Sequence, residues 1–117
     1  MTSGASVPIP NADRAIVDEA KVRNYLLNPA HPDGGSKAIW FQSIGYCDDD
    51  WQDLRDDLLM IAKTCTAFDI ENTRFGIKYK ARGIIGRSKR TAVVLTVWID
   101  EGDGHLRLIT AYPALKT

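Results

Sequence analysis

Residues 51–82 read WQDLRDDLLMIAKTCTAFDIENTRFGIKYKAR, and the apolar period changes inside them. Leu54, Leu58, Ile61, Ala62 and Cys65 fall at i, i+4, i+7, i+8 and i+11, the stripe of an amphipathic helix. That spacing predicts a helix over about Trp51 to Ala67, with Cys65 in the core. From Thr73 the pattern turns to alternation. Thr73, Phe75, Ile77, Tyr79 and Ala81 interleave with Arg74, Lys78, Lys80 and Arg82. A strand sends alternate side chains to opposite faces. A shift of period from 3.6 to 2 predicts an α+β fold, with helices first and an antiparallel sheet after them.

Outward toward the N-terminus, Val22, Tyr25 and Leu26 mark a first helix, about Asp18 to Leu27. Asp18 is a candidate N-cap, and Asn28-Pro29 ends the helix because a residue before proline is driven from the helical region. Asn28 to Gly35 holds two prolines and two glycines and reads as a loop. Ser36 then caps a short helix, Lys37 to Ile44, and Gly45 suits its C′ position. Toward the C-terminus, Thr91 to Ile99 is β-branched or apolar at nearly every position, as in a central strand covered on both faces. Glu101 to Gly104 is a turn, and His105 to Tyr112 a last strand ended by Pro113. The expectation is three N-terminal helices packed on a C-terminal antiparallel β-meander of three or more strands. Residues 1–12 read as an irregular arm, with Val7 and Ile9 as candidate anchors, and residues 13–117 as a single α+β domain. Leu26, Phe41, Leu58, Ile61, Val97 and Leu108 are the expected core.

The formal net charge of zero hides a division. Residues 1–73 hold twelve Asp/Glu against six Lys/Arg, and residues 74–117 hold nine Lys/Arg against three Asp/Glu. Arg74, Lys78, Lys80 and Arg82 share one parity and so form a cationic stripe. Such a stripe attracts phosphates, or serves as a solvated face that keeps the protein soluble. Asp48, Asp49 and Asp50 precede the third helix, where carboxylates suit the positive end of the helix dipole. Two distant Cys and two distant His are a poor basis for a zinc site. No metal or other cofactor is expected. No apolar run is long enough to cross a bilayer, and no signal-peptide pattern opens the chain. A cytoplasmic protein with reduced thiols is the expectation.

Five residues suggest chemistry. His31 lies in a loop between prolines, where an imidazole can act as general acid or base or simply stabilise the turn. Lys37 opens a helix, beside free N–H groups that favour anions, although a lysine there opposes the dipole. Arg107 sits in an otherwise apolar strand and either clamps a phosphate or pairs with an acidic helix residue. Thr110 and Tyr112 share a strand parity and offer hydroxyl donors, while also being good strand formers.

The run YLLNPAHPDGGSKAIWF, residues 25–41, with IPNADRA upstream and TVWIDEG and LRLITAYP downstream, resembles a family of small bacterial domains of unknown function. Such domains occur as stand-alone proteins and at the ends of polymorphic toxins; the length here argues against a secreted toxin tip. The resemblance spans about residues 8–113, and NPAHPDGGSKA is its specific part. His31, Gly35, Lys37, Ala38, Trp98, Arg107, Leu108 and Thr110 match the pattern. More distantly, helices followed by a meander ending in Thr-x-Tyr-Pro are similar to the barnase/EndoU/colicin/RelE-like ribonucleases. That resemblance implies a small metal-independent ribonuclease. His31 would be the acid/base, Lys37 and Arg107 phosphate clamps, Thr110 and Tyr112 hydrogen-bond donors, and Arg74, Lys78, Lys80 and Arg82 the track for RNA. The alternative is a non-catalytic interaction module, using the acidic Asp48–Asp57 face toward a protein partner or pairing as a homodimer.

Overall fold

Among the described residues the helices pack on one face of the sheet and none covers the other. The structure, a computed structural model, describes residues 7–32, 35–87 and 89–114. In chain order it holds β1 (Val7–Pro8), β2 (Ala15–Ile16), α1 (Glu19–Lys21), α2 (Gly35–Ser43), α3 (Trp51–Thr64), β3 (Thr66–Thr73), β4 (Gly76–Ile85), β5 (Ala92–Asp100) and β6 (Leu106–Pro113). The sheet order is β1-β3-β4-β5-β6-β2. The α+β class and the three helices are as expected. The long strands β3 to β6 form an antiparallel meander after the helices. Two short N-terminal strands correct that description: β1 extends one edge, and β2 runs parallel to β6 at the other. Of the expected arm, residues 1–6 lie outside the described residues, while Ile9 is buried in the core.

Helix α3 ends at Thr64, three residues short of its expected end. Thr66 and Ala67 instead pair with Pro8 and Val7, so β1 and β4 draw this segment into the sheet. Cys65 is half-buried at the helix terminus rather than inside it. Leu54, Leu58, Ile61 and Ala62 are buried, as their spacing requires. They meet Tyr79, Ala81, Val94, Trp98, Leu106, Leu108 and Ala111 of the sheet in one cluster. Within it Trp98 Nε1 donates to Thr96 Oγ1 at 2.8 Å, and Thr96 Oγ1 donates to the Ala81 carbonyl at 2.9 Å. These bonds satisfy two polar groups that would otherwise be costly to bury.

The α2 terminus is a Schellman turn. Gly45 has φ +104, Gly45 N–H donates to the Gln42 carbonyl and Tyr46 N–H to the Phe41 carbonyl. Helix α1 differs most from its expectation. Three α-helical residues pass into a π turn at Val22–Leu26, closed by Leu27 N–H on the Val22 carbonyl at 2.8 Å. Asp18 precedes the helix but makes no side-chain capping bond.

Strand β5 is central, but helices cover only one of its faces. Val93, Leu95, Val97 and Ile99 point to the bare face, where Val93 is exposed and Leu95 and Ile99 are half-buried. Val97 is only 7% exposed, yet it lies outside the main core cluster, closed in by its neighbours on this face. Arg74 and Phe75 fall in the β3–β4 turn, not in a strand, because Thr73 pairs with Gly76. Phe75, expected on the apolar parity, is 64% exposed, with the Arg74 guanidinium 4.9 Å from its ring centroid.

Candidate functional site

Three of the five sequence candidates meet at Tyr25, which in the sequence only marks the first helix. Tyr25 lies in the π turn of Val22–Leu26, and π turns recur at functional sites because the extra residue re-aims its neighbours. Lys37, in the first turn of α2, donates from Nζ to Tyr25 Oη at 2.8 Å. Tyr25 Oη and Thr110 Oγ1 are 3.1 Å apart and share a hydrogen. The His31 ring meets the Tyr25 ring edge-on at 5.0 Å between centroids. Lys21 and Lys37 place their ammonium groups 5.2 and 5.0 Å from the Tyr25 ring centroid.

Local backbone chemistry builds this cluster. Asn28 Oδ1 accepts from Ala30 N–H, and His31 N–H donates to the Asn28 carbonyl, which folds the loop after the π turn. Gly35 N–H then donates to the His31 carbonyl, carrying the loop into α2. A Cβ on Gly35 would stand 2.5 Å from the Pro29 carbonyl oxygen, so only glycine lets the helix start approach this closely. Strand β6 carries one extra residue, Ile109, where the register shifts against Val97 and Trp98. Such a bulge re-aims nearby side chains; here Leu108 and Ala111 are both buried and Thr110 reaches Tyr25.

Burial raises the Tyr25 pKa, but the hydrogen bonds from Lys37 and Thr110 and the charges of Lys37 and Lys21 more than offset this. Its hydroxyl therefore ionises below the ordinary phenol range. A phenol held between an ammonium and a hydroxyl is polarised toward proton donation. A cleft of about 330 Å³ opens beside it, lined by Asp18, Ala20, Lys21, Asn24, Tyr25 and His31.

Arg107 and Tyr112 take other places. Arg107 pairs with Glu101 and Asp103 of the β5–β6 turn, each at 3.5 Å, rather than with a helix carboxylate. Tyr112 is half-buried opposite Leu95. Register nevertheless ties both to the cationic stripe. Lys78 and Arg107 both pair with Ile99, Lys80 and Thr110 with Val97, and Arg82 and Tyr112 with Leu95. Each couple stands two strands apart, about 10 Å across the sheet. The stripe itself is partly answered by acid. Lys80 pairs with Asp69 at 3.6 Å, Glu71 is the register partner of Lys78, and Arg82 stacks on Phe68 at 4.2 Å. Arg74 lies apart from these three, in the turn.

A second tyrosine cluster ties the acidic and basic halves together. Tyr46 Oη donates to Asp57 at 2.5 Å and accepts from Gly86 N–H at 2.9 Å. Arg87 grips the same carboxylate through two bonds, at 3.2 and 3.1 Å. Burial, with the Asp57 hydrogen bond and charge, pushes the Tyr46 pKa well above the phenol range. Near α1, Arg23 holds Asp48 by two bonds and Glu19 by one, which uses the first of the three consecutive aspartates.

Residues 8–115 match the family described as Domain of unknown function (DUF6883). Among curated proteins no sequence matches the chain. Among solved structures, a chain of a contact-dependent growth inhibition toxin–immunity protein complex from Klebsiella pneumoniae 342 has a similar fold. Its TM-score is 0.72 at 17% sequence identity, over 91% of this chain and 98% of that one. No described helix is long and apolar enough to cross a membrane.

Proposed function

The chain belongs to the DUF6883 family, and we propose that it is a metal-independent ribonuclease whose chemistry centres on Tyr25. The observation that carries this reading is the convergence of Lys37, Thr110 and His31 on one phenol beside an open cleft. RNA supplies its own nucleophile. His31 takes the proton of the 2′-hydroxyl as O2′ bonds to phosphorus. The P–O5′ bond breaks, and the Tyr25 hydroxyl delivers a proton to the departing O5′. Solvent then takes the proton from His31 and returns one to Tyr25. Lys37 stabilises the charge that gathers on the non-bridging oxygens, and Thr110 orients the phenol. The products are a 2′,3′-cyclic phosphate and a 5′-hydroxyl. Lys78, Lys80, Arg82, Arg107 and Tyr112 hold the flanking strand across the bare sheet face, and Arg74 extends the cationic path at the turn.

Purified protein incubated with total RNA in excess chelator tests this. The reading requires degradation, lost in His31→Ala. If RNA survives prolonged incubation, the enzyme reading fails and an anion-binding cluster is what stands.

A protein-interaction module is the second reading, favoured by the solved relative in fold, which belongs to a toxin–immunity protein complex. In this chain part of the acidic helix face is already engaged, since Arg87 holds Asp57 and lies 3.8 Å from Asp53. Salt separates the readings: affinity for single-stranded RNA falls steeply and linearly with the logarithm of salt concentration through counterion release.

A further inference from the structure

We propose that Arg23 is a positioning residue for the Tyr25 site: its guanidinium, bonded to Glu19 and Asp48, holds the π turn so that the phenol reaches Lys37 and Thr110. The consequence for cleavage rests on the ribonuclease reading; the positioning itself does not.

The turn that carries Tyr25 has little to fix it from within. Helix α1 has three residues, and Asp18 makes no side-chain capping bond at its start. Segments this short are not stable helices by themselves, so tertiary contacts must set their winding. Val22 and Leu26 are fully buried on the core side. Apolar contacts are non-directional, so they fix where the turn lies and not how it is wound. The directional contacts are those of Arg23. Its Nε and Nη2 donate to Asp48 Oδ1 and Oδ2 at 3.2 and 3.1 Å, and Nη1 donates to Glu19 Oε2 at 3.0 Å. Glu19 opens α1, and Asp48 opens the 3-10 turn that leads into α3. One planar fork therefore ties the start of α1, the π turn and the approach to α3. A lone exposed ion pair contributes little to stability, but a bidentate pair within a network fixes angle as well as distance.

Arg23 does not line the cleft beside Tyr25, so it acts on the phenol through the backbone of the turn they share. The phenol's own bonds are 2.8 Å from Lys37 and 3.1 Å from Thr110. A retreat of the turn by about 1 Å takes both past hydrogen-bond range.

Absorbance titration of Tyr25 in the intact protein reads this position without depending on catalysis, the Tyr25 step being the one that vanishes in Tyr25→Phe. In Asp48→Ala the step should move up toward the ordinary phenol value, about 10. Charge alone would act the other way, because removing a nearby carboxylate favours the phenolate. Arg23→Lys keeps the charge and loses the fork, and it should move the step up as well. Arg55→Ala, which removes another exposed arginine, paired with Asp56, should leave the step in place. A step that stays or falls in Asp48→Ala, one that stays in Arg23→Lys, or an equal rise in Arg55→Ala would overturn the assignment. In RNA cleavage, kcat should fall about 10²-fold in both clamp variants with KM little changed, the usual cost of a misplaced catalytic group. A raised step with undiminished cleavage would support the clamp and remove Tyr25 from the chemistry. A raised step with no cleavage even by the unmutated protein would support the clamp and defeat the ribonuclease reading.

Discussion

Two tyrosines organise the two polar centres of this molecule, and their neighbours give them opposite characters. Tyr25 receives a hydrogen bond from the Lys37 ammonium and shares one with Thr110, and its pKa falls although burial alone raises it. Tyr46 gives its hydrogen to Asp57 and is pushed the other way by burial and that carboxylate. A phenol next to cations in an open cleft is placed to act on an anion. One locked under a carboxylate and an arginine is placed to hold α3 against the β4–β5 connection. The charge division of the sequence closes on itself at Arg87 and Asp57, whereas the cations at Tyr25, Lys21 and Lys37, both come from the acidic half.

The largest effect should separate the centres through activity. Lys37→Ala should lower RNA cleavage about 10²–10⁴-fold, the usual worth of a positioned proton-transfer or charge-stabilising group. Its thermal midpoint should stay close to that of the unmutated protein. A variant that unfolds instead of losing activity would make Lys37 structural.

Stability should show the converse. Tyr46→Phe removes a hydrogen bond to an ionised group and should cost about 1.5–3 kcal/mol in chemical denaturation. Cleavage per folded molecule should be unchanged. By comparison, Leu58→Ala, on the buried face of α3, should cost about 2–5 kcal/mol. A loss below about 0.5 kcal/mol there would mean that α3 does not pack as described.

Salt dependence sharpens the same comparison on the sheet. The Lys78→Glu/Lys80→Glu double variant should flatten the salt dependence of single-stranded RNA binding by about 0.7 log units per lost contact. Asp69→Asn, which frees Lys80, should strengthen binding. Unchanged slopes in both would make the stripe a solvated face only.

The smallest effect is spectroscopic. In an absorbance titration at constant fold, one phenol should ionise below the ordinary range and vanish from the curve in Tyr25→Phe. Tyr46 should ionise only as the protein unfolds at high pH. A raised acid pKa contributes stability present below the unfolded phenol pKa, about 10, and lost as pH climbs beyond it. The lowered Tyr25 pKa contributes stability present above that value and lost as pH falls through the folded pKa.

Much of the fold is legible in the chain because long elements repeat their pattern many times. The α3 stripe and the alternation of β4 specify their own faces, and Gly45 marks its turn. Strand β3 is not legible. Its first residues follow the α3 stripe, and with only the two residues of β1 beyond it in the sheet it shows little apolar alternation in Thr66–Thr73. Strands of two residues carry no period at all. His31, Lys37 and Thr110 are readable as candidates through motif and residue type. Their meeting point is not, because Tyr25 also fits the buried stripe of a regular helix and packs, half-buried, against the core. Its position at the head of the YLLNPAHPDGGSKA run is the signal that marks it. The alignment of Arg107, Thr110 and Tyr112 with Lys78, Lys80 and Arg82 depends on register across β5, which no single strand encodes.

The most direct test of the central contrast is cleavage of a short oligoribonucleotide by unmutated protein, Tyr25→Phe and Tyr46→Phe in excess chelator, with the product ends identified by mass. The unmutated protein and Tyr46→Phe should give 2′,3′-cyclic phosphate ends at similar rates per folded molecule, and Tyr25→Phe should lose about 10²-fold or more. Equal cleavage by Tyr25→Phe and the unmutated protein, or no cleavage by any of the three, would contradict it.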